Sequence, residues 1–339
     1  MQTASTPSES NAPPAPAPHW ASLGERTFVA GIRLLFWIYR VLGRLPFRLC
    51  LYPVVAYYWA TCGVARRSSL DYLQKLQAFQ GSLGHAPGWR DSLRHFLAFA
   101  ETILDKLLAI RADTPANALR AEGEEGLLAL HAKGRGAVIV TGHVGCMEMC
   151  RISAQRHRGV RLNVLVHTEH AERFNRILQR LQPDCAVHFI QVSEINPATA
   201  MLLADKVAQG EYVAITGDRV PVRQSMVVSA DFLGHPAQWP VGPYVLAALL
   251  KCPLYAMGCV RDDAAHGGGY VLRVHCLAEQ VTLPRNARRE ALAAHARQFA
   301  AWLEGLLDHA PLAWLNFFPF WAQEAAPPRT PQADRDHAG

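Results

Sequence analysis

From residue 136 onward, short β-branched and apolar runs alternate with longer segments of helical periodicity, and this alternation limits the fold more than any other feature. The extended runs are 136–141, 161–168, 187–192, 212–216 and 253–260, and helical patterns fill 146–157, 171–182, 197–209 and 241–250. Strands and helices in that order close into an α/β fold, a mainly parallel sheet flanked by helices. Gly267-Gly268-Gly269 marks a turn before 270–276, read as an antiparallel edge strand. Before the sheet, 91–110 gathers Leu93, Phe96, Leu97, Ala100, Leu104, Leu107 and Leu108 on one broad helical face. A second helix, 122–133, is stopped by Gly134, and a long alanine-rich helix is expected over 285–309. Half of the 339 residues are hydrophobic, enough for a large core.

The first of these runs ends in chemistry. Val138-Ile139-Val140-Thr141-Gly142 is followed at once by His143, and Glu148 lies five positions on. Open α/β sheets place their reacting groups at the C-terminal edges of the strands. Within one regular helix the two residues would stand about 140° apart. With His143 in the turn and Glu148 in the first turns of the next helix, they can meet. An imidazole that takes a hydroxyl proton, with a carboxylate fixing its tautomer, makes a general base. The plain alternative is a histidine capping a helix and a glutamate in solvent. Gly142 and Gly145 would let a substrate approach the backbone closely, and N–H groups at the start of the helix are candidate donors to an oxyanion.

Other chemistries lack their signatures. There is no G-x-S-x-G, Walker loop or G-x-G-x-x-G, and nothing that calls for a cofactor. The eight cysteines form no C-x-x-C pair, which suits reduced thiols; Cys146 and Cys150, beside His143, read as small buried hydrophobes. Fifteen histidines show no metal-ligand spacing. Asp218 and Arg219 follow the strand 212–216 on the same sheet edge as His143. Asp218 is a candidate for orienting a substrate or Arg219, and Arg219 for binding an anionic group such as a phosphate. A structural ion pair is the alternative, and Arg261, beyond another strand, has the same two readings. Phe232, Trp239 and Tyr244 either line an apolar groove or pack the core. Trp314, Phe317, Phe318, Phe320 and Trp321 either form a membrane-contacting patch or close the core.

A net charge of +6 suits an anionic membrane surface or an acidic protein partner. No zinc finger, RNP aromatic pair or basic recognition helix points to nucleic acid. Residues 1–27 begin with a Pro-, Ala- and Ser-rich stretch and read as a disordered tail that is not a signal peptide. Residues 28–67 read as a membrane-associated helical segment. Arg33, Arg40 and Arg44 fall within about 40° on a helical wheel, a basic stripe on an apolar helix. Residues 49–65 then run without a charge between Arg48 and Arg66-Arg67, at the short limit for a span and interrupted by Pro53. Crossing the bilayer, lying in its cytoplasmic leaflet, and a buried helical hairpin all stay open. The catalytic domain is expected over 68–321, with a loose tail from 322 to 339.

The motif His143-x4-Glu148 after a strand resembles that of the lysophospholipid acyltransferase superfamily, and the chain looks most like its lipid A biosynthesis (lauroyl/myristoyl) branch. Three later blocks keep the family's order: Gly217-Asp218-Arg219; 232–243 (FLGHPAQWPVGP) followed by a helix and 252–261; and 314–321 (WLNFFPFW). The resemblance runs from about residue 28 to 321. It departs where lipid A enzymes carry an arginine between strand and helix after the motif histidine: here the region reads Val166-His167-Thr168-Glu169-His170, and the nearest arginine is Arg173. The start of the 232–243 block and the closing aromatics are closer to a divergent branch of acyltransferases. The resemblance implies a bacterial inner-membrane enzyme, its catalytic domain in the cytoplasm. It would move a fatty acyl chain from a thioester, acyl-carrier protein, to the hydroxyl of a lipid acceptor, with His143 and Glu148 catalytic and Gly145, Arg173, Asp218, Arg219 and Arg261 at the substrates. Acyl-CoA-dependent acylation of a lysophospholipid, and a lipid-binding protein without activity, are the alternatives.

Overall fold

The computed structural model describes residues 37–110, 119–157, 159–166, 187–191, 197–220, 226–262 and 269–322. The helices are α1 (Arg44–Thr61), α2 (Gly63–Gln80), α3 (Trp89–Ile110), α4 (Glu125–Ala132), α5 (Cys150–Arg156), α6 (Pro197–Ala208), α7 (Gly242–Leu250) and α8 (Arg288–His309). The strands are β1 (Leu119–Glu122), β2 (Ala137–Gly145), β3 (Leu162–Val166), β4 (Val187–Gln191), β5 (Tyr212–Thr216), β6 (Val227–Phe232), β7 (His235–Pro240), β8 (Leu254–Asp262) and β9 (Gly269–Ala278).

Seven strands form one sheet in the order β1-β9-β8-β2-β5-β3-β4. From β8 to β4 all neighbours are parallel, as expected. Strand β9 runs antiparallel to β8 but is not the edge: β1 pairs beyond it, parallel to β9. The helix expected from residue 122 starts later because Gly123, at φ 74°, turns the chain between β1 and α4. The helix expected over 171–182 lies outside the described residues, as do both terminal tails and Gly267-Gly268.

Strand β2 is central and buried on both faces, so its pattern is continuous rather than alternating. Val138 and Val140 join the core under α7 and α8; Ala137 and Ile139 join the core under α4 and α5. A hairpin not foreseen from sequence, β6–β7, turns at Leu233-Gly234, both at positive φ (51° and 76°). Two left-handed residues in a two-residue loop match the twist of paired strands. The Leu233 N–H donates to buried Glu304 on α8 at 2.8 Å, which ties the turn down.

The N-terminal helices sit against α3. Phe47, Leu51 and Val55 of α1 pack with Phe96, Leu104 and Leu108. Arg48 holds Glu101 with two hydrogen bonds, at 2.8 and 2.9 Å. Helix α2 runs unbroken past residue 67, and its Tyr72, Leu73 and Leu76 are wholly buried in the main core. No helix among the described residues is long and apolar enough to cross a membrane.

Candidate active site

Strand β2 carries Thr141-Gly142-His143 near its end, β5 runs into Thr216-Gly217-Asp218, and the two are parallel neighbours with Thr141 opposite Thr216. Register alone therefore carries His143 and Asp218 to one point on the C-terminal edge of the sheet. The His143 Nδ1 lies 2.8 Å from Asp218 Oδ1, and the His143 backbone N–H donates to Asp218 Oδ2 at 2.7 Å. A third donor, the Trp314 indole N–H, reaches the same Oδ2 at 3.0 Å.

Asp218 is buried. Burial raises its pKa, but the opposed charge and hydrogen bonds of His143, with the nearby Arg219, outweigh it and hold the carboxyl down to about 2. It is therefore an anion, and only an acceptor, throughout the neutral range. Nδ1 must then carry the imidazole proton, which leaves the Nε2 lone pair for base chemistry. The His143 side chain is 32% exposed, so it is open to a substrate while its partner is not.

The expected meeting of His143 with Glu148 is replaced by this pair. Two features of β2 explain it. The strand runs on to Gly145, so His143 belongs to its end rather than to a free turn, and its register against β8 shifts between Thr141 and Gly145. A short 3₁₀ turn, Met147–Met149, then carries Glu148. Glu148 lies 3.4 Å from Lys106 on α3 and accepts from the Cys146 thiol at 3.7 Å.

Gly145 also has a different task from the one expected. It sits at φ 54°, and a Cβ there would stand 2.1 Å from the Cys259 carbonyl oxygen of β8. Its N–H donates to the Ala313 carbonyl and that of Cys146 to Cys259, so neither serves as an oxyanion donor. Gly145→Ala should cost roughly 3 kcal/mol or more, since left-handed strain and a backbone collision add. A melting temperature lower by roughly 6–12 °C is the expected reading for a domain of this size, and an unchanged melt would refute the steric account.

The remaining expected residues divide. Arg219 is half-buried next to Asp218, its guanidinium 5.7 Å from the centre of the Phe318 ring. Burial lowers its pKa and Asp218 raises it. Arg261, at the end of β8, is bound into an ion network instead: 2.5 Å from Glu101 and 2.7 Å from Asp105, both on α3. Desolvation works against its charge, but the carboxylates of Asp105 and Glu101 raise its pKa further. The Tyr270 hydroxyl donates to the same Asp105. This network fastens α1, α3 and β8 together. Arg173 lies outside the described residues.

Cys146 and Cys150 are buried, and burial raises both thiols well above their ordinary value, so neither is a ready nucleophile. Phe232, Trp239, Tyr244, Trp314, Phe318 and Phe320 are all core. Among the described residues no three His, Cys, Asp or Glu side chains gather as a metal site. The role of Trp314 on Asp218 was not foreseen; only the matching Thr-Gly pairs hinted at the His143–Asp218 meeting.

The arrangement is an imidazole backed by a buried carboxylate at a sheet edge, with no activated serine or thiolate beside it among the described residues. It suits direct attack by a hydroxyl on an acyl group. The family model for bacterial lipid A biosynthesis acyltransferases matches residues 95–322, more than half of the chain, and that span contains His143, Asp218 and Trp314. No curated protein matches the chain significantly. The chain belongs to the bacterial lipid A biosynthesis acyltransferase family and is an acyltransferase.

Proposed function

We propose that this enzyme moves a fatty acyl chain from acyl-carrier protein to a hydroxyl of a lipid or glycolipid acceptor at the cytoplasmic face of the inner membrane, with His143 as general base. The observation that carries the reading is the bond from His143 Nδ1–H to the buried Asp218 carboxylate. Nε2 takes the acceptor's hydroxyl proton as the oxygen attacks the thioester carbon. The tetrahedral intermediate collapses, the C–S bond breaks, and the imidazolium returns its proton to the leaving thiolate. Asp218 stabilises the imidazolium while it exists. Arg219, half-buried next to Asp218, is the candidate contact for an anionic group on donor or acceptor.

The carrier protein as donor is supported by the net charge of +6, which complements an acidic partner. Association with the membrane surface is supported by α1 and the helical residues before it. Trp37, Val41, Leu45, Leu49 and Tyr52 are exposed, while the opposite face of α1 packs on α3. An apolar stripe of that kind lies in the interface plane rather than across it.

The test is transfer of a labelled acyl chain from acyl-carrier protein or from acyl-CoA to acceptor lipid in anionic vesicles, at increasing salt. The carrier protein should be the better donor, and its advantage should fall as salt screens the encounter. A Leu45→Glu/Leu49→Glu enzyme should bind the vesicles less and lose activity on them. Preference for acyl-CoA independent of salt would replace the donor, and full activity of the double variant without vesicle binding would refute the surface reading.

A further inference from the structure

The polypeptide between α8 and the 3₁₀ turn Phe320–Ala322 runs alongside the His143–Asp218 pair, bridging to Val144 through Trp314 and reaching Asp218 with the Trp314 indole. Residues 313–315 bridge 143–145 in antiparallel fashion: the Gly145 N–H donates to the Ala313 carbonyl and the Leu315 N–H to the His143 carbonyl, both at 2.8 Å. The Tyr72 hydroxyl of α2 donates to the Pro311 carbonyl at 2.7 Å. His95 of α3, wholly buried, has Nε2 2.8 Å from the Trp314 carbonyl and Nδ1 3.0 Å from the Ser69 hydroxyl. A carbonyl only accepts, so His95 Nε2 carries the proton and Ser69 donates to Nδ1. Burial lowers the pKa of His95 to about 4, and that tautomer is therefore kept at neutral pH.

The strap is thus pinned at Pro311 and Trp314 by two helices, and at its centre the Trp314 indole points its one polar atom at Asp218. The ring is otherwise enclosed by Tyr72, Phe232, Phe320 and Trp321. Packing alone would be met by any large apolar ring. What phenylalanine lacks is the N–H at Oδ2. That oxygen already holds the His143 backbone N–H, so the second donor fixes the rotation of the carboxylate and leaves Oδ1 turned to the imidazole.

We propose that Trp314 is a positioning residue for acyl transfer: its indole N–H, delivered by the 311–315 strap, locks Asp218 in the orientation that holds His143. This rests on His143 acting as the base. The test replaces Trp314 by phenylalanine and, to preserve packing, by benzothienylalanine, an isostere with sulfur in place of N–H. Both full-length enzymes should lose about tenfold in kcat with KM nearly unchanged, the effect of removing one hydrogen bond to a charged group. The Nδ1–H proton signal of ¹⁵N-labelled His143 should weaken through faster exchange with solvent in both. A benzothienylalanine enzyme with wild-type kcat and an unaltered His143 signal would overturn the proposal, whatever happens to the phenylalanine variant. Failure of the underlying reading looks different: His143→Ala would stay active, while the His143 signal would still respond to position 314.

Discussion

His143→Ala should lose about 10²–10⁴-fold in acyl transfer, the range for removing a positioned general base. Among the described residues no other imidazole is paired with Asp218. His95, the nearest in the network, has both ring nitrogens engaged and is neutral at working pH. The variant should fold. Asp218 keeps two of its three donors, the His143 backbone N–H and the Trp314 indole, and the lost side chain was partly exposed. Some loss of stability is expected from a buried carboxylate with one bond fewer, about 1–3 kcal/mol. Initial rates with a labelled acyl donor, taken below the melting transition, separate the two effects. A folded variant with the wild-type rate would remove the base from the mechanism.

Asp218→Asn should be nearly as damaging, for a reason set by hydrogen-bond geometry. Two N–H groups, from His143 and Trp314, converge on Oδ2. An asparagine must place its carbonyl oxygen there, because its NH₂ would face two donors. The NH₂ then points at His143 Nδ1 and forces that nitrogen to accept. The ring proton moves to Nε2, where the base lone pair is needed. The wrong tautomer, with no anion to stabilise the imidazolium, should cost on the order of 10²–10⁴ in kcat. Stability should change less, since size and hydrogen-bond count are kept.

The sheet was legible because its strands are short, β-branched and separated by helical periods that a buried parallel sheet requires. Strands β2, β5 and β8 lie within a few residues of the expected runs. Strand β1 was not legible: Leu119–Glu122 is short, half polar, and earns its place only by pairing with β9 far along the chain. The hairpin β6–β7 was hidden because its turn is Leu233-Gly234, and a leucine at positive φ contradicts the usual turn chemistry. At the site, His143 could be singled out from its place after a strand, but its carboxylate could not be chosen by nearness in sequence. Glu148 is five residues away and turned to Lys106; Asp218 is 75 residues away and in contact. The clue was register: matching Thr-Gly pairs on neighbouring strands bring the next residue of each together. Trp314 and His95 were illegible as site residues because an aromatic in an apolar block and a histidine on an apolar helix face read first as core, which both also are.

Asp218, and not Glu148, is expected to set the tautomer of His143. The ¹⁵N shifts of the His143 ring, with ¹⁵N-histidine in the wild type, Asp218→Asn and Glu148→Gln, measure that directly. The wild type should carry its proton on Nδ1, Asp218→Asn should move it to Nε2 with the loss of transfer, and Glu148→Gln should leave it on Nδ1. A ring that keeps the Nδ1 proton in Asp218→Asn, or gives it up in Glu148→Gln, would contradict the account.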